Sequence, residues 1–281
     1  MKVITIKKGD LVETEVNNNA YQYAFPRGSV TFQDHEIALD SVNLFYNWYN
    51  IRAELGNNIY YYTWIDGSPE NTVEMPDGNY TVEQFNHFLE WTMITNKHYL
   101  IDGSGNYVYY LEWLRNPTSR LLQLISYPVP ATTTYSLPPG ATWSLPATDT
   151  TPQVRIDANN VRTLTGFTAN TYPIAQQSTI YTTQGSTFTS FQPIVALNIE
   201  CQLLYNNLSL PSTLLYTIAI PSVEAGTLIT AKPTNYAFSP IKDGQYTDML
   251  VRLTDQNGVA IKLQDPNLTM GFVVRSKGEM V

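Results

Sequence analysis

"HEIALDSVNLFYNWYNI", residues 35–51, contains neither Gly nor Pro. In an extended chain successive side chains point to opposite faces. Ile37 and Leu39 therefore share one face, whereas Val42, Leu44, Tyr46 and Trp48 share the other. The reading predicts one long strand whose apolar phase switches between Leu39 and Val42. A β-bulge produces such a switch, as does burial on both faces.

Outward from this strand the pattern continues. "LGNN" (55–58) turns the chain into "IYYYTWI" (59–65), and "DGSPEN" (66–71) turns it again. "HYLIDGSGNYVYYLEW" (98–113) reads as a hairpin, and "RLLQLISY" (120–127) as a strand. The last third predicts strands at 194–205, 214–220, 246–254, 259–264 and 268–275, with "DQNG" (255–258) as the turn between two of them. About eight to eleven strands at this spacing predict an all-β sandwich or barrel. Residues 1–26 read as an N-terminal arm and 27–281 as a single domain. The Pro/Thr-rich segment 128–153 reads as an exposed inserted loop or small subdomain.

One stretch breaks the β pattern. In "PDGNYTVEQFNHFLEWTM" (76–93), Thr81 and Gln84 have the spacing of a capping box, and Tyr80 and Phe85 that of a hydrophobic staple. Val82, Phe85, Phe88, Leu89 and Met93 share one helical face, which predicts a short amphipathic helix over about 81–94 packed on the β core. His87 falls off that stripe and reads as solvated.

Composition narrows the function classes. Of 281 residues, 43% are hydrophobic and only 14% charged, against ~25% in ordinary globular proteins. Tyr, Asn, Thr and Pro fill the gap, a mixture that suits strands, polar turns and contact with other protein. Net charge is −8 with no basic stripe, so nucleic-acid binding is not expected. The single Cys201 excludes an internal disulfide framework and reads as a buried strand thiol. "MKVITIKKGD" lacks a signal-peptide core and no run approaches the ~18 apolar residues of a membrane span.

No catalytic, cofactor-binding or metal-ligating residue is assigned. His35, His87 and His98 have no metal-ligand spacing, and no nucleophile elbow or phosphate loop occurs. "DGSGNY" (102–107) resembles an acidic cation loop without its later Glu, and reads as a turn. "DHE" (34–36) reads as solvated charge at a strand start.

The blocks "EIALDSVNLFYNWYNI", "NNIYYYTWIDG" and "MPDGNYTVEQFNHFL", followed by "LTGFTA", "VALNIECQLLYNN", "IAIPSVEAGTLIT" and "YAFSPIKDGQYTDMLVRLTDQNGVAIKLQDPNLTMGFVVR", resemble in order and kind the penton (minor capsid) proteins of virophages and Polinton/Maverick-like elements. The similar blocks cover roughly residues 28–125 and 154–275. The resemblance implies a single jelly roll and a structural, non-enzymatic subunit of the virion, assembled in the host cytoplasm. Five copies would close each five-fold vertex beside trimers of the major capsid protein, with exposed loops available to host-surface glycans. It also implies an outward insertion between jelly-roll strands, for which 128–153 is the matching segment. The alternatives are a carbohydrate-binding jelly-roll module, a metal-free glycoside hydrolase or lyase, and a virion cement or spike-base protein.

Overall fold

The computed structural model describes residues 1–12, 17–65, 69–159, 161–189, 191–221 and 223–278. The chain divides into two compact units, Met1–Trp48 with Ile194–Val281, and Tyr49–Pro193. The first unit opens with β1 (Lys2–Lys7), β2 (Ala20–Ala24), β3 (Val30–Phe32) and β4 (His35–Phe45). The second holds β5 (Ile59–Thr63), β6 (Asn71–Glu74), α1 (Val82–Asn96), β7 (Leu100–Ile101), β8 (Tyr107–Val108), β9 (Leu111–Arg115), β10 (Leu122–Ser126), β11 (Gln153–Ile156), α2 (Val161–Thr165), β12 (Asn170–Tyr172) and β13 (Tyr181–Gln184). The chain then returns to the first with β14 (Ala196–Cys201), β15 (Leu214–Ala219), β16 (Leu228–Ala231), β17 (Ser239–Pro240), β18 (Gly244–Tyr246), β19 (Asp248–Asp255) and β20 (Leu268–Ser276).

Strand order identifies the first unit's fold. One sheet runs β1-β20-β4-β16, with β17 continuing along β4, and the other runs β15-β14-β19-β2. Take the eight principal strands in order of appearance: β1, β2, β4, β14, β15, β16, β19, β20. The sheets then read first-eighth-third-sixth and fifth-fourth-seventh-second, all pairs antiparallel. This is a jelly roll. Its core lies between the sheets, where Ile37, Leu39, Val42 and Phe272 meet Leu197, Ile199, Met249 and Val251. Burying those aliphatic and aromatic side chains is the main term holding the sandwich closed.

The phase switch expected in β4 is a bulge. Pairing with β20 passes from Gly271↔Ser41 to Phe272↔Leu39, leaving Asp40 without an opposite residue. The strand ends at Phe45 rather than at Ile51. Tyr46 and Trp48 remain in the sandwich core, whereas Ile51 belongs to the core of the second unit.

Several expectations change. Residues 1–26 are not a separate arm: β1 pairs with β20 from Lys2↔Val274 to Lys7↔Thr269, and β2 pairs with β19. Ile4 and Ile6 point into the core, so the strand is held by side-chain burial as well as by its ladder. Residues 13–16 of the expected arm, and residues 66–68 of the expected turn, lie outside the described residues. The division at Trp48/Tyr49 and Pro193/Ile194 replaces the single domain expected over 27–281, and 128–153 is one part of the inserted unit. No strand forms over 259–264. The "DQNG" turn closes, with Gly258 N–H donating to Asp255 O at 3.0 Å, but the returning arm makes only the Thr254↔Ala260 bridge.

The second unit has its own sheets, β12-β11-β5-β6 and β13-β10-β9, and α1 packs against β9 and β6. Its helix start follows the sequence. Thr81 Oγ1 accepts Gln84 N–H at 3.2 Å, and Gln84 Oε1 accepts Thr81 N–H at 2.9 Å. Val82, Phe85, Leu89 and Met93 are buried, while Phe88 is half-buried. The expected Tyr80–Phe85 staple is replaced: Tyr80 meets Phe88 edge-on at 6.5 Å, and Phe85 stacks on Tyr60 at 5.2 Å. A second helix, the short α2, joins the one expected; Asn159 Oδ1 accepts Val161 N–H at its start. In 128–153 exposed and partly buried side chains are interspersed, and Val129 and Trp143 are buried. Trp143 Nε1 donates to Lys97 O at 2.7 Å, and Lys97 Nζ to Gly140 O at 2.8 Å, so the segment is strapped to the end of α1.

Candidate functional site

The titratable side chains singled out by sequence are scattered, each with a local partner. His87 is exposed on α1 and its Nδ1 lies 2.9 Å from Glu90 Oε2. His98 is buried, stacked on Trp64 at 4.9 Å with Nδ1 2.9 Å from Tyr62 Oη. His35 lies edge-on to Phe32 at 5.5 Å. Cys201 is fully buried on the inner face of β14, and burial pushes its thiol up to about 12. A thiol so far above its ordinary range stays protonated and is not a nucleophile.

The acidic motifs are likewise occupied. Asp102 accepts hydrogen bonds from Ser104 N–H and Asn106 N–H, both at 2.8 Å, and from Asn106 Nδ2 at 3.0 Å. The Asn106 amide foremost holds its carboxyl below the usual range, and the loop is the turn between β7 and β8. Of "DHE", Glu36 Oε1 accepts Arg275 Nε at 2.6 Å, and Arg275 lies 3.7 Å over the Phe238 ring. Among the described residues no three His, Cys, Asp or Glu side chains gather to hold a metal ion. No helix among them is long and apolar enough to cross a membrane.

Two apolar surface features of the jelly roll were not singled out by the sequence reading. One is a pocket of about 420 Å³ beside β1 and β2, lined by Ile4, Tyr23, Phe25, Val30, Phe32 and Val274. Its walls come from three separate stretches of the first 35 residues and from β20, so no single local pattern marks it. Tyr23, Phe25, Phe32 and Tyr246 form a run of ring contacts at 5.8–6.0 Å along it. The other is the β14–β15 connection, where Leu208 and Leu210 are 97% and 96% exposed. "NNLSLPST" carries a signal for this, two leucines held among polar residues and a Pro, without the length of a strand.

Their positions follow from the topology. β1 packs against β2, so those two edges lie on one flank, while β15 forms the opposite edge of its sheet. The pocket and the loop thus sit on opposite flanks. Cys201↔Val251 and Val251↔Tyr21 place the last residue of β14 level with Tyr21, and the chain runs on from each toward the Asp248↔Ala24 end, so both features share one end of the sandwich.

No family model matches the chain, and no curated protein matches it. Two solved structures align along nearly its whole length. The mavirus penton protein covers 98% of this chain and 100% of its own, at 10% identity and a TM-score of 0.45. A chain of the Sputnik virophage structure, from cryo-EM, covers 99% and 98%, at 12% identity and a TM-score of 0.37.

Proposed function

We propose that the chain is a structural subunit of an icosahedral virion shell, a penton (minor capsid) protein whose homopentamer closes the five-fold vertices. The observation that carries this reading is the complete jelly-roll strand order, interrupted once, between its third and fourth strands, by an inserted unit. A fold alone does not fix function, and jelly rolls serve as capsid subunits, lectins and cupins. A cupin-type metal site needs clustered imidazole and carboxylate ligands, and the described residues gather none. The resemblance of the ordered sequence blocks supports the penton over the other shell roles. The exposed leucines support it over a monomeric lectin, because two almost fully exposed leucines on one short loop suit contact with other protein.

In this reading the chain has no catalytic residue and no cofactor. Its partners are four further copies and trimers of the major capsid protein, and it resides in the virion after assembly in the host cytoplasm. Electron microscopy of the purified chain and of particles containing it tests this. Five-fold rings and density at the vertices are the expected result; a monomer absent from particles would overturn it. One observation favours a second reading, glycan binding. A pocket of about 420 Å³ beside Arg275 is lined by Lys232, Asn235, Tyr236 and Phe238, the aromatic and polar mixture that sugars contact. Retention of a glycan on an array, lost in Tyr236→Ala, is the outcome that reading requires.

A further inference from the structure

We infer that the chain carries both halves of its own subunit contact: the Asn206–Ser212 loop of one copy seats Leu208 and Leu210 in the Ile4/Phe25/Phe32 pocket of a second copy. The inference deepens the capsid reading and rests on it for the number of copies in the ring. The contact itself rests on the flanks of the jelly roll.

Within one chain the loop leaves its leucines in water. The pocket lies across β14 and β19 from it, on the β1/β2 flank. An apolar projection and an apolar recess on different surfaces of one molecule form a heterologous contact. Such a contact repeats head to tail and closes into a ring when the rotation permits. Placement at the same end on opposite flanks is the arrangement that lets neighbours stand side by side in such a ring.

The chemistry matches. Residues 205–213, "YNNLSLPST", carry no charge, so the loop brings no ion of its own into the contact. The loop is already shaped. Asn206 N–H donates to Ser212 O at 2.9 Å, Leu208 N–H to Asn206 Oδ1 at 2.9 Å, and Leu214 N–H to Pro211 O at 3.0 Å. A preformed loop loses little conformational freedom on binding. The pocket is aromatic and aliphatic within, and of the cations among its lining residues Arg275 is already met by Glu36 of its own chain.

The test uses full-length chains in sedimentation and native mass spectrometry. Wild type is expected to form rings. L208D/L210D, which charges the projection, and V3D/T31D, which charges the recess, are each expected to be monomeric, with association weakened at least about 100-fold. All four positions are exposed, so both variants should keep the wild-type circular dichroism spectrum and melting temperature. Mixed together, the two variants retain one intact projection and one intact recess. They are expected to give a heterodimer and nothing larger. Oxidation of mixed Leu208→Cys and Thr31→Cys chains should link them, since native Cys201 is buried. Rings that persist in L208D/L210D would overturn the contact and leave the capsid reading standing. A wild type that stays monomeric, with no cross-link, would also overturn the contact, whereas absence from particles would overturn the reading. Rings from L208D/L210D that fail only to enter particles would assign the loop to another shell protein and overturn the second-copy contact.

Discussion

Gly166 shows how a single residue fixes a junction between segments. Its φ is +77°, and a Cβ there would lie 2.1 Å from Thr187 O. Gly166 O in turn accepts Ser186 N–H at 2.8 Å and Thr187 N–H at 3.3 Å. Gly166→Ala combines a backbone clash with a left-handed conformation, and should destabilise the inserted unit by roughly 3 kcal/mol or more, read as a lower urea midpoint. Thr81→Ala removes one half of the capping box and should cost about 1 kcal/mol by the same measurement. Thr81 was legible in sequence because cap and partner are three residues apart. Gly166 was not, since the atom that forbids a side chain belongs to a distant segment.

Cys201 supplies a titration at the same scale. Its thiol ordinarily ionises near ~8.5, and burial in β14 pushes it up to about 12. A raised folded-state value means that its contribution is fully present below ~8.5 and is lost as pH rises toward the folded value. Tyr21, Tyr60 and Tyr62, all pushed up by burial, add the same sign above ~10. Urea unfolding of wild type should therefore show stability falling from about pH 8.5, and Cys201→Ala should flatten the slope between roughly pH 8.5 and 10. An unchanged slope would refute the assignment to this thiol.

Among elements, β4 carries the most information. Its bulge was legible because an apolar phase switch is a local pattern, and Asp40 sits where the switch requires it. Its end was not legible, since the alternation of Phe45 to Ile51 runs on while the chain passes from one core to the other. The partner strand pays for the bulge at Gly271, where a Cβ would lie 2.9 Å from Ser41 Oγ and 3.2 Å from Asp40 Oδ2. Gly271→Ala should cost roughly 1–3 kcal/mol through overpacking. Adding Ser41→Gly to that variant should recover part of the loss beyond the effect of Ser41→Gly alone, as a double-mutant cycle would read. The helix was legible in its start and buried stripe, yet its staple was not, because Phe85 is claimed by Tyr60 and Trp113 from other strands.

At the scale of the whole molecule, sequence conveyed the all-β class but not the division into units. Linkers are recognised by Pro, Gly and polar runs, and the junction at Trp48/Tyr49 has instead an aromatic run interrupted only by Asn47 and Asn50. The apolar pocket and exposed loop were hidden for a related reason, since flanks and ends exist only after the strands are ordered. The inserted unit keeps its two ends together: Asn50 Nδ2 donates to Phe191 O and to Tyr80 O, both at 2.7 Å. Residues 49–193 expressed alone should therefore fold cooperatively, with dispersed amide resonances. The remaining chain, joined by a flexible linker of about ten residues, should retain a β-type spectrum. Collapse of either part to a disordered spectrum would refute the independence of the units.

The pairing of β1 with β20 has a consequence for synthesis on the ribosome. Both neighbours of β4, and the one partner of β1, are encoded after the insertion. The middle of the chain has all of its strand partners while the first 48 residues still await theirs. Translation order and folding order therefore differ: the inserted unit matures first, and the sandwich shuts only when the final strand emerges.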